Sequence, residues 1–301
     1  MYTKILVPLD GSATAEAALP YVEALAVGFK TPVELLSVID VGAMTAYLSA
    51  DKVPQLDGIV AKEEENSRTY LESVVKNYSA SFTATCQVMR GDPAEAILEV
   101  SSKDRDILIA MATHGHSGAK RWLLGSIAEK VLRNSTCPVF LVRASEAETE
   151  ARRIINAIVV PLDGSPLAEQ ILPTASQWAQ ALDLEVALIR AVEFPALTYY
   201  SSEEDFAAYE DFQENEKREA AAYLKTKAEA LIAGGVRTVS TSILGGDAAA
   251  AIISYTREAP RAVIAMSTHG RSGIDRWMLG SIAEKVVRHG EDPVLVVRNV
   301  A

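Results

Sequence analysis

Two stretches of the chain combine glycine, histidine, serine and basic residues in the same order. The first reads THGHSGAKRWLLGS over 113–126, and the second reads THGRSGIDRWMLGS over 268–281. Each follows an apolar run and precedes a run of helical composition. A glycine-rich loop between a strand and a helix suits phosphate, because glycine lets the backbone approach the anion and the helix N-terminus presents N–H groups. The chemistry that these residues favour is therefore phosphate binding.

Oxygen-bearing side chains lie near both stretches. Ser126 and Ser281 place a hydroxyl at the predicted start of a helix, where phosphate oxygens or a metal ion would lie. Asp10 and Asp163 follow the first apolar run of each half. Ligands of open α/β sheets bind at the carboxyl ends of the strands, so we expect each Asp to face the same crevice as its Gly-Ser pair.

Other chemistry fits these residues less well. A hydrolase triad could combine His114 or His269 with serine and aspartate, but there is no G-x-S-x-G elbow and helix capping explains the serines. The two common nucleotide fingerprints, G-x-x-x-x-G-K-[ST] and G-x-G-x-x-G, are also missing. Cys86 and Cys137 lack metal-ligand spacing. We therefore predict no catalytic residues, no resident metal site and buried, reduced thiols.

The whole chain is a tandem repeat. ILVPLDGS at 5–12 matches IVVPLDGS at 158–165, and about 20 of 32 positions are identical between 112–143 and 267–298. Each repeat has about 150 residues, which is a typical domain size. A polar, charged segment without a strand pattern separates the repeats. The predicted division is a first domain over 1–145, a linker over 146–153 and a second domain over 154–301.

Strands alternate with helices in each repeat, which predicts a parallel sheet with helices on both faces. Continuous apolar runs indicate strands that are buried on both faces. Helices are marked by a change to helical composition and by capping residues at their starts. In the first repeat we predict strands over 4–9, 33–40, 84–91, 106–113 and 137–143, and helices over 10–27, 61–78, 92–103 and 125–135.

The composition indicates an acidic globular protein. The 301 residues include 29 Lys and Arg against 40 Asp and Glu, for a formal net charge of −11. A surface for nucleic acid or anionic membrane needs an excess of basic residues, so neither partner is expected. The opening MYTKILVPLDGS does not resemble a signal peptide, and no apolar run reaches the roughly 18 residues of a membrane span. The sequence therefore predicts a cytoplasmic location.

Taken together, the motifs resemble those of the universal stress protein family in its tandem two-domain form. The resemblance covers essentially the whole chain: VPLDGS, GDP or GDA, THG, LLGS or MLGS, and PV-x-x-VR recur in this order. ATP-binding members of that family carry G-x-x-G, nine residues and then G-[ST]. Both repeats keep this spacing, but Ala112 and Ser267 replace the first glycine. The resemblance implies two Rossmann-like domains of the adenine nucleotide alpha hydrolase-like type, each with a five-stranded parallel sheet.

The resemblance also implies residue roles. At the nucleoside end, an Asp would contact adenine and ribose, a strand backbone would meet adenine, and a Met would flank the base or ribose. These residues are Asp10, Val38 and Met111 in the first repeat and Asp163, Ala191 and Met266 in the second. N–H groups would cradle the phosphates at Gly115, Gly125, Ser126 and Ile127, and at Gly270, Gly280, Ser281 and Ile282. The remaining implied site residues are Pro8, Leu9, Ala112, His114 and His116, and Pro161, Leu162, Ser267, His269 and Arg271.

The function that this resemblance implies is stress-response sensing or regulation with up to two sites for ATP, ADP or AMP, with Mg²⁺ as a companion ion. A slow ATPase and a nucleotide-free interaction scaffold are the alternatives. Arg271 could add positive charge to the phosphates where the first repeat has His116, so we expect tighter triphosphate binding at the second site. The apolar final strands are implied to pair with each other, and self-association into a homodimer is a further hypothesis.

Overall fold

A computed structural model describes residues 2–47, 56–78, 82–113, 124–143, 155–194, 203–259, 261–268 and 280–298, with only the backbone for 203–205. The chain divides into two compact units. One comprises Met1–Ile154 and Pro293–Ala301, and the other comprises Ile155–Asp292. The predicted linker at 146–153 lies outside the described residues, and the predicted domain boundaries remain a prediction.

The first unit is a parallel sheet with one antiparallel strand added. The parallel strands lie in the order β3-β2-β1-β4-β5, and β10 pairs antiparallel with β5. The strands are β1 (Lys4–Pro8), β2 (Val33–Ile39), β3 (Ala84–Arg90), β4 (Ile107–Ala112), β5 (Val139–Val142) and β10 (Val294–Val297). The helices are α1 (Ala13–Glu16), α2 (Leu19–Phe29), α3 (Val41–Tyr47), α4 (Leu56–Tyr78), α5 (Pro93–Ser102) and α6 (Ser126–Asn134).

The second unit repeats this arrangement with four parallel strands in the order β8-β7-β6-β9. Its strands are β6 (Ala157–Pro161), β7 (Glu185–Val192), β8 (Val239–Gly245) and β9 (Ala262–Ser267). Its helices are α7 (Pro166–Glu169), α8 (Leu172–Leu182), α9 (Glu203–Ala233), α10 (Ala248–Glu258) and α11 (Ser281–His289). The predicted α/β class with tandem, mostly parallel sheets is confirmed.

Local structure departs from the sequence prediction in three places. The helix predicted over 10–27 is two helices, α1 and α2, because Pro20 at the start of α2 has no N–H to continue the hydrogen-bond ladder. Helix α3 lies in a segment without a clear pattern. The strand predicted as the fifth of the second repeat is β10, which belongs to the first unit by its contacts. There it covers β5, whose apolar edge would otherwise be open.

The cores are built from the strands that the sequence marks as apolar. All residues of β4, β5 and β9 are buried, as the continuous apolar runs predict. Tyr21 and Phe140 meet edge to face with ring centroids 6.0 Å apart, and Trp178 fills the core of the second unit with 0% exposure. Burying a large apolar side chain contributes roughly 1.5–3 kcal/mol, so these strands fix the carboxyl edge of each sheet firmly. Among the described helices, none is long and apolar enough to cross a membrane.

Candidate functional site

In each unit a cavity lies at the carboxyl ends of the parallel strands. Its volume is about 250 Å³ in the first unit and about 400 Å³ in the second. The described site residues predicted for the first repeat all line the smaller cavity. They are Pro8, Leu9, Asp10, Val38, Met111, Ala112, Gly125, Ser126 and Ile127. Residues on three strands and the start of α6, far apart in sequence, are thus brought together in one pocket.

The second unit brings together the corresponding residues around its larger cavity. The described residues among those predicted are Pro161, Leu162, Asp163, Ala191, Met266, Ser267, Gly280, Ser281 and Ile282. The rest of the predicted set lies outside the described residues. It consists of His114, Gly115, His116, His269, Gly270 and Arg271.

The site aspartates are anchored by the turn that follows β1 and β6. The Asp10 Oδ1 atom accepts hydrogen bonds from the Ser12 backbone N–H at 3.0 Å and from the Ser12 hydroxyl at 2.6 Å. Ser12 also caps α1, where its Oγ accepts from the Ala15 N–H at 3.1 Å. Asp163 repeats the backbone contact with Ser165 at 2.9 Å. A short turn that caps a helix therefore holds each carboxylate at the mouth of its cavity.

Helices α6 and α11 begin at the cavities without a side-chain cap. Their N-cap residues are Gly125 and Gly280, neither of which has a side chain to accept a hydrogen bond. In contrast, Ser12, Asp92, Ser165 and Asp247 cap α1, α5, α7 and α10. The first-turn N–H groups of a helix have no partner within the helix. An anion in the cavity would satisfy these donors and gain from the helix dipole.

The residues that replace the first glycine of the motif fit their positions closely. Ala112 and Ser267 end β4 and β9 and are 6% and 7% exposed. The Ser267 hydroxyl donates a hydrogen bond to the Leu167 carbonyl oxygen at 2.9 Å, so it is directed to the backbone of α7. Both side chains are small, and each lines a cavity that still has room for a ligand.

Three ion pairs connect α6 and α11 to the helix that precedes each of them. The Lys130 ammonium lies 3.2 Å from Asp92 and 3.2 Å from Glu95 on α5, and Lys285 lies 3.3 Å from Asp247. A backbone N–H hydrogen bond, and then the lysine, lowers the pKa of Asp92 and Asp247 below the usual range. These ion pairs are exposed, so they orient the helices more than they stabilise the fold.

A tyrosine–glutamate hydrogen bond is also duplicated. The Tyr70 hydroxyl on α4 donates to Glu16 Oε1 on α1 at 2.8 Å, and the Tyr223 hydroxyl on α9 donates to Glu169 Oε1 on α7 at 2.9 Å. Burial, and then this hydrogen bond, raises the pKa of both tyrosines above the usual range. The long helix of each unit is thereby fixed to the short helix that follows the site aspartate.

Sequence reasoning missed five residues at one end of the second cavity. The residues that line this cavity, while the aligned residues of the first unit do not line theirs, are Arg190, Val192, Glu193, Glu216 and Gly246. The available signal was the alignment of SVID at 37–40 with RAVE at 190–193, which places an arginine opposite a serine. The exchange of serine for arginine does not by itself indicate a function, because the sequence does not show which face of the strand meets the cavity.

The fold and the paired cavities define an α/β protein with one cavity at the carboxyl edge of the parallel strands in each unit. The model of the Universal stress protein family matches residues 1–143 and again 155–298. The chain therefore belongs to the universal stress protein family.

Individual relatives agree with this assignment. A universal stress protein of Methanocaldococcus jannaschii is 28% identical over 148 residues, covering 49% of this chain and 86% of the relative. One from Mycobacterium tuberculosis is 22% identical over 306 residues, covering 98% of this chain and 96% of the relative. The crystal structure of a universal stress protein from Archaeoglobus fulgidus has a TM-score of 0.73 at 22% identity and covers 99% of both chains. This last likeness shows the fold.

Proposed function

We propose that this chain is an adenine-nucleotide-binding regulator of the stress response with two nucleotide sites. The observation that carries the proposal is the uncapped start of α6 and α11 at a cavity that also holds a site aspartate. Such a helix start suits phosphate, and the aspartate suits the hydroxyls of a ribose. ATP is the expected ligand, with ADP and AMP as shorter ligands of the same cradle.

The nucleoside would lie across the ends of the first two strands of each unit. The backbones at Val38 and Ala191 would meet adenine, with Met111 and Met266 beside the base or ribose. Each of these four residues lines its cavity, which supports this arrangement. Ser126 and Ser281 are exposed at the start of their helices, where they can donate to phosphate oxygens.

The oxygen atoms at the cavities also fit Mg²⁺. This ion prefers oxygen ligands and is usually held by one or two carboxylates together with ligand phosphates. Asp10 and Ser126 line the first cavity, and Asp163 and Ser281 line the second. The serines would hold the ion against the phosphates, where it would neutralise part of their charge, while the aspartates remain beside the ribose.

Nucleotide titration of variants tests the proposal. Gly125 and Gly280 have φ of −62° and −57°, so valine can adopt their backbone conformation, and it adds a branched side chain at the proposed phosphate cradle. We expect Gly125→Val to abolish binding at the first site and Gly280→Val at the second, leaving one ATP bound per chain in calorimetry. Gly58→Val is a matched control, because a Cβ at this position on α4 meets no atom within 4 Å.

The same variants compare the two sites. The site that remains in Gly125→Val should bind ATP more tightly than the site that remains in Gly280→Val, because only the second repeat has Arg271. Equal dissociation constants would reject this difference but not nucleotide binding. Failure of the wild type to bind ATP, with no nucleotide in the denatured purified protein by mass spectrometry, would reject the proposed function. Phosphate release by the wild type that is lowered in each valine variant would instead identify an ATPase.

A further inference from the structure

The second cavity is larger than the first in one direction. Its volume is about 400 Å³ against about 250 Å³, and the lining residues without an aligned counterpart are all at the ends of β7 and β8 or on α9. These residues are Arg190, Val192, Glu193, Glu216 and Gly246. The extra space therefore lies on the β7 side, away from the start of α11.

This extension is at the nucleoside end of the site. The phosphate cradle follows β9, and β6 separates β9 from β7 in the sheet. Neighbouring strands are about 4.8 Å apart, so β7 lies roughly 10 Å from the strand that leads to the cradle. A side chain at the end of β7 is therefore placed to meet the base rather than the phosphates.

Arg190 supplies hydrogen-bond donors at this end of the cavity. Its guanidinium carbon lies 5.4 Å from the centroid of the Tyr223 ring, and Tyr223 is itself held by Glu169. Within the described part of the chain, Arg190 forms no ion pair. The aromatic ring positions the guanidinium and leaves its N–H groups available to a ligand.

The surrounding charges decide what kind of ligand group suits Arg190. Asp163, Glu193 and Glu216 line the same cavity, so three carboxylates accompany one guanidinium. A ligand phosphate placed at this end of the cavity, beside Arg190, would be repelled by the excess of negative charge. A neutral group that presents both acceptors and donors is complementary, because the arginine donates and the carboxylates accept.

We propose that the second cavity accepts guanine nucleotides as well as adenine nucleotides, with Arg190 recognising the acceptor edge of guanine, whereas the first cavity is selective for adenine. Guanine presents O6 and N7 as neighbouring acceptors, which the arginine fork matches, and its N1–H and amino group match carboxylates such as Glu193 and Glu216. Adenine presents an amino donor where guanine has O6. The inference rests on the proposed function, since it keeps the phosphate cradle and changes only the base.

The first cavity lacks both the arginine and the carboxylate that would contact guanine. The position aligned with Arg190 is Ser37, which is buried, with 6% exposure. The position aligned with Glu193 is Asp40, whose carboxylate accepts the Ala43 backbone N–H at 2.8 Å at the start of α3. Neither side chain lines the cavity.

The test uses the full chain with one cavity disabled at a time. In Gly125→Val, where the second cavity remains, we expect GTP to bind at least as tightly as ATP by calorimetry. In Gly280→Val, where the first cavity remains, we expect GTP to bind about tenfold or more weakly than ATP. Adding Arg190→Ser to Gly125→Val should weaken GTP about tenfold or more and leave ATP nearly unchanged, since a bidentate contact discriminates between bases by this order. Arg190→Lys keeps the charge but loses the fork, and should weaken GTP similarly.

The outcomes separate this inference from the proposed function. If Gly125→Val binds ATP but not GTP, base recognition by Arg190 is overturned while nucleotide binding stands. An equal loss of ATP and GTP in Arg190→Ser, reversed by Arg190→Lys, would also overturn it, because the arginine would then act through charge alone. If neither nucleotide binds to the wild type, the proposed function fails as well.

Discussion

At the scale of single residues, the aspartate of each predicted site is positioned by hydrogen bonds to residues outside the cavity. Asp10 is fixed by Ser12, which also caps α1, and Glu16 at the end of the same helix accepts the hydroxyl of Tyr70. Tyr223 and Glu169 repeat this contact in the second unit. The carboxylate at each cavity is therefore connected through one short helix to the long helix of its unit.

Replacing Tyr70 or Tyr223 by phenylalanine should lower the free energy of unfolding by about 1 kcal/mol near neutral pH, because one hydrogen bond is lost. The folded-state pKa of each tyrosine is raised, so its contribution to stability is complete below the unfolded pKa of about 10 and declines as the pH rises above it. Chemical denaturation at about pH 7 and about pH 11 should show a smaller alkaline loss in each variant than in the wild type.

Tyr255→Phe provides the control for this prediction. Tyr255 lies on α10 and shares no side-chain hydrogen bond with any residue in the described ranges. Its variant should match the wild type at both pH values. An alkaline loss in Tyr70→Phe as large as that of the wild type would show that ionisation of Tyr70 is not linked to folding.

At the scale of elements, the helices that start beside the cavities differ from the capped helices of each unit. Helices α1, α5, α7 and α10 begin with Ser or Asp caps, whereas α6 and α11 start at glycine beside a cavity.

Strand β10 covers the edge of β5. Leu295 lies opposite Phe140 of β5, and both side chains are fully buried. Covering β5 in this way removes an apolar edge that would favour aggregation.

Leu295→Ala should destabilise the first unit by about 2–5 kcal/mol, since it removes a fully buried leucine and leaves a cavity. Hydrogen exchange should accelerate at the amides of β5, because β10 is its antiparallel neighbour. Val27→Ala on α2 is the control, as Val27 is 52% exposed and its truncation should leave exchange in β5 unchanged. Unaltered β5 exchange in Leu295→Ala would contradict a stabilising role for β10.

At the scale of the whole molecule, duplication has produced two similar units whose cavities are not equivalent. The end of each cavity at the helix start is nearly identical in the two units, with Gly-Ser-Ile-Ala at the start of α6 and of α11. The other end differs, since Arg190 lines the second cavity where the first unit has the buried Ser37. Under the two proposals above, such a protein would respond to two kinds of nucleotide through one type of phosphate cradle.

We also propose that two chains associate into a homodimer. Light scattering of the purified protein should then report a mass of about twice 32.4 kDa. A dilution series would give the dissociation constant and show whether nucleotide shifts it. Detection of a 32.4 kDa species alone would contradict the proposal.

Particular residues show how far sequence reasoning reaches. The apolar runs of β1 and β4 and the cap at Asp92 were predictable, because period, hydrophobicity and capping are local properties. The break between α1 and α2 was missed, although Pro20 was visible. Ser267 was predicted as a site residue, but its hydrogen bond to the Leu167 carbonyl was not, since the two residues are 100 positions apart.

The sequence by itself determined the duplication, the α/β class and part of the lining of each cavity, because repeated motifs and the ends of apolar runs mark the carboxyl edge of a parallel sheet. Only the tertiary structure decided that β10 completes the first unit and that Arg190 and Glu216 line the second cavity. Both outcomes depend on which strand edge is open and which face of a strand meets a neighbouring helix. Those relations arise from packing between distant segments and have no local sequence pattern.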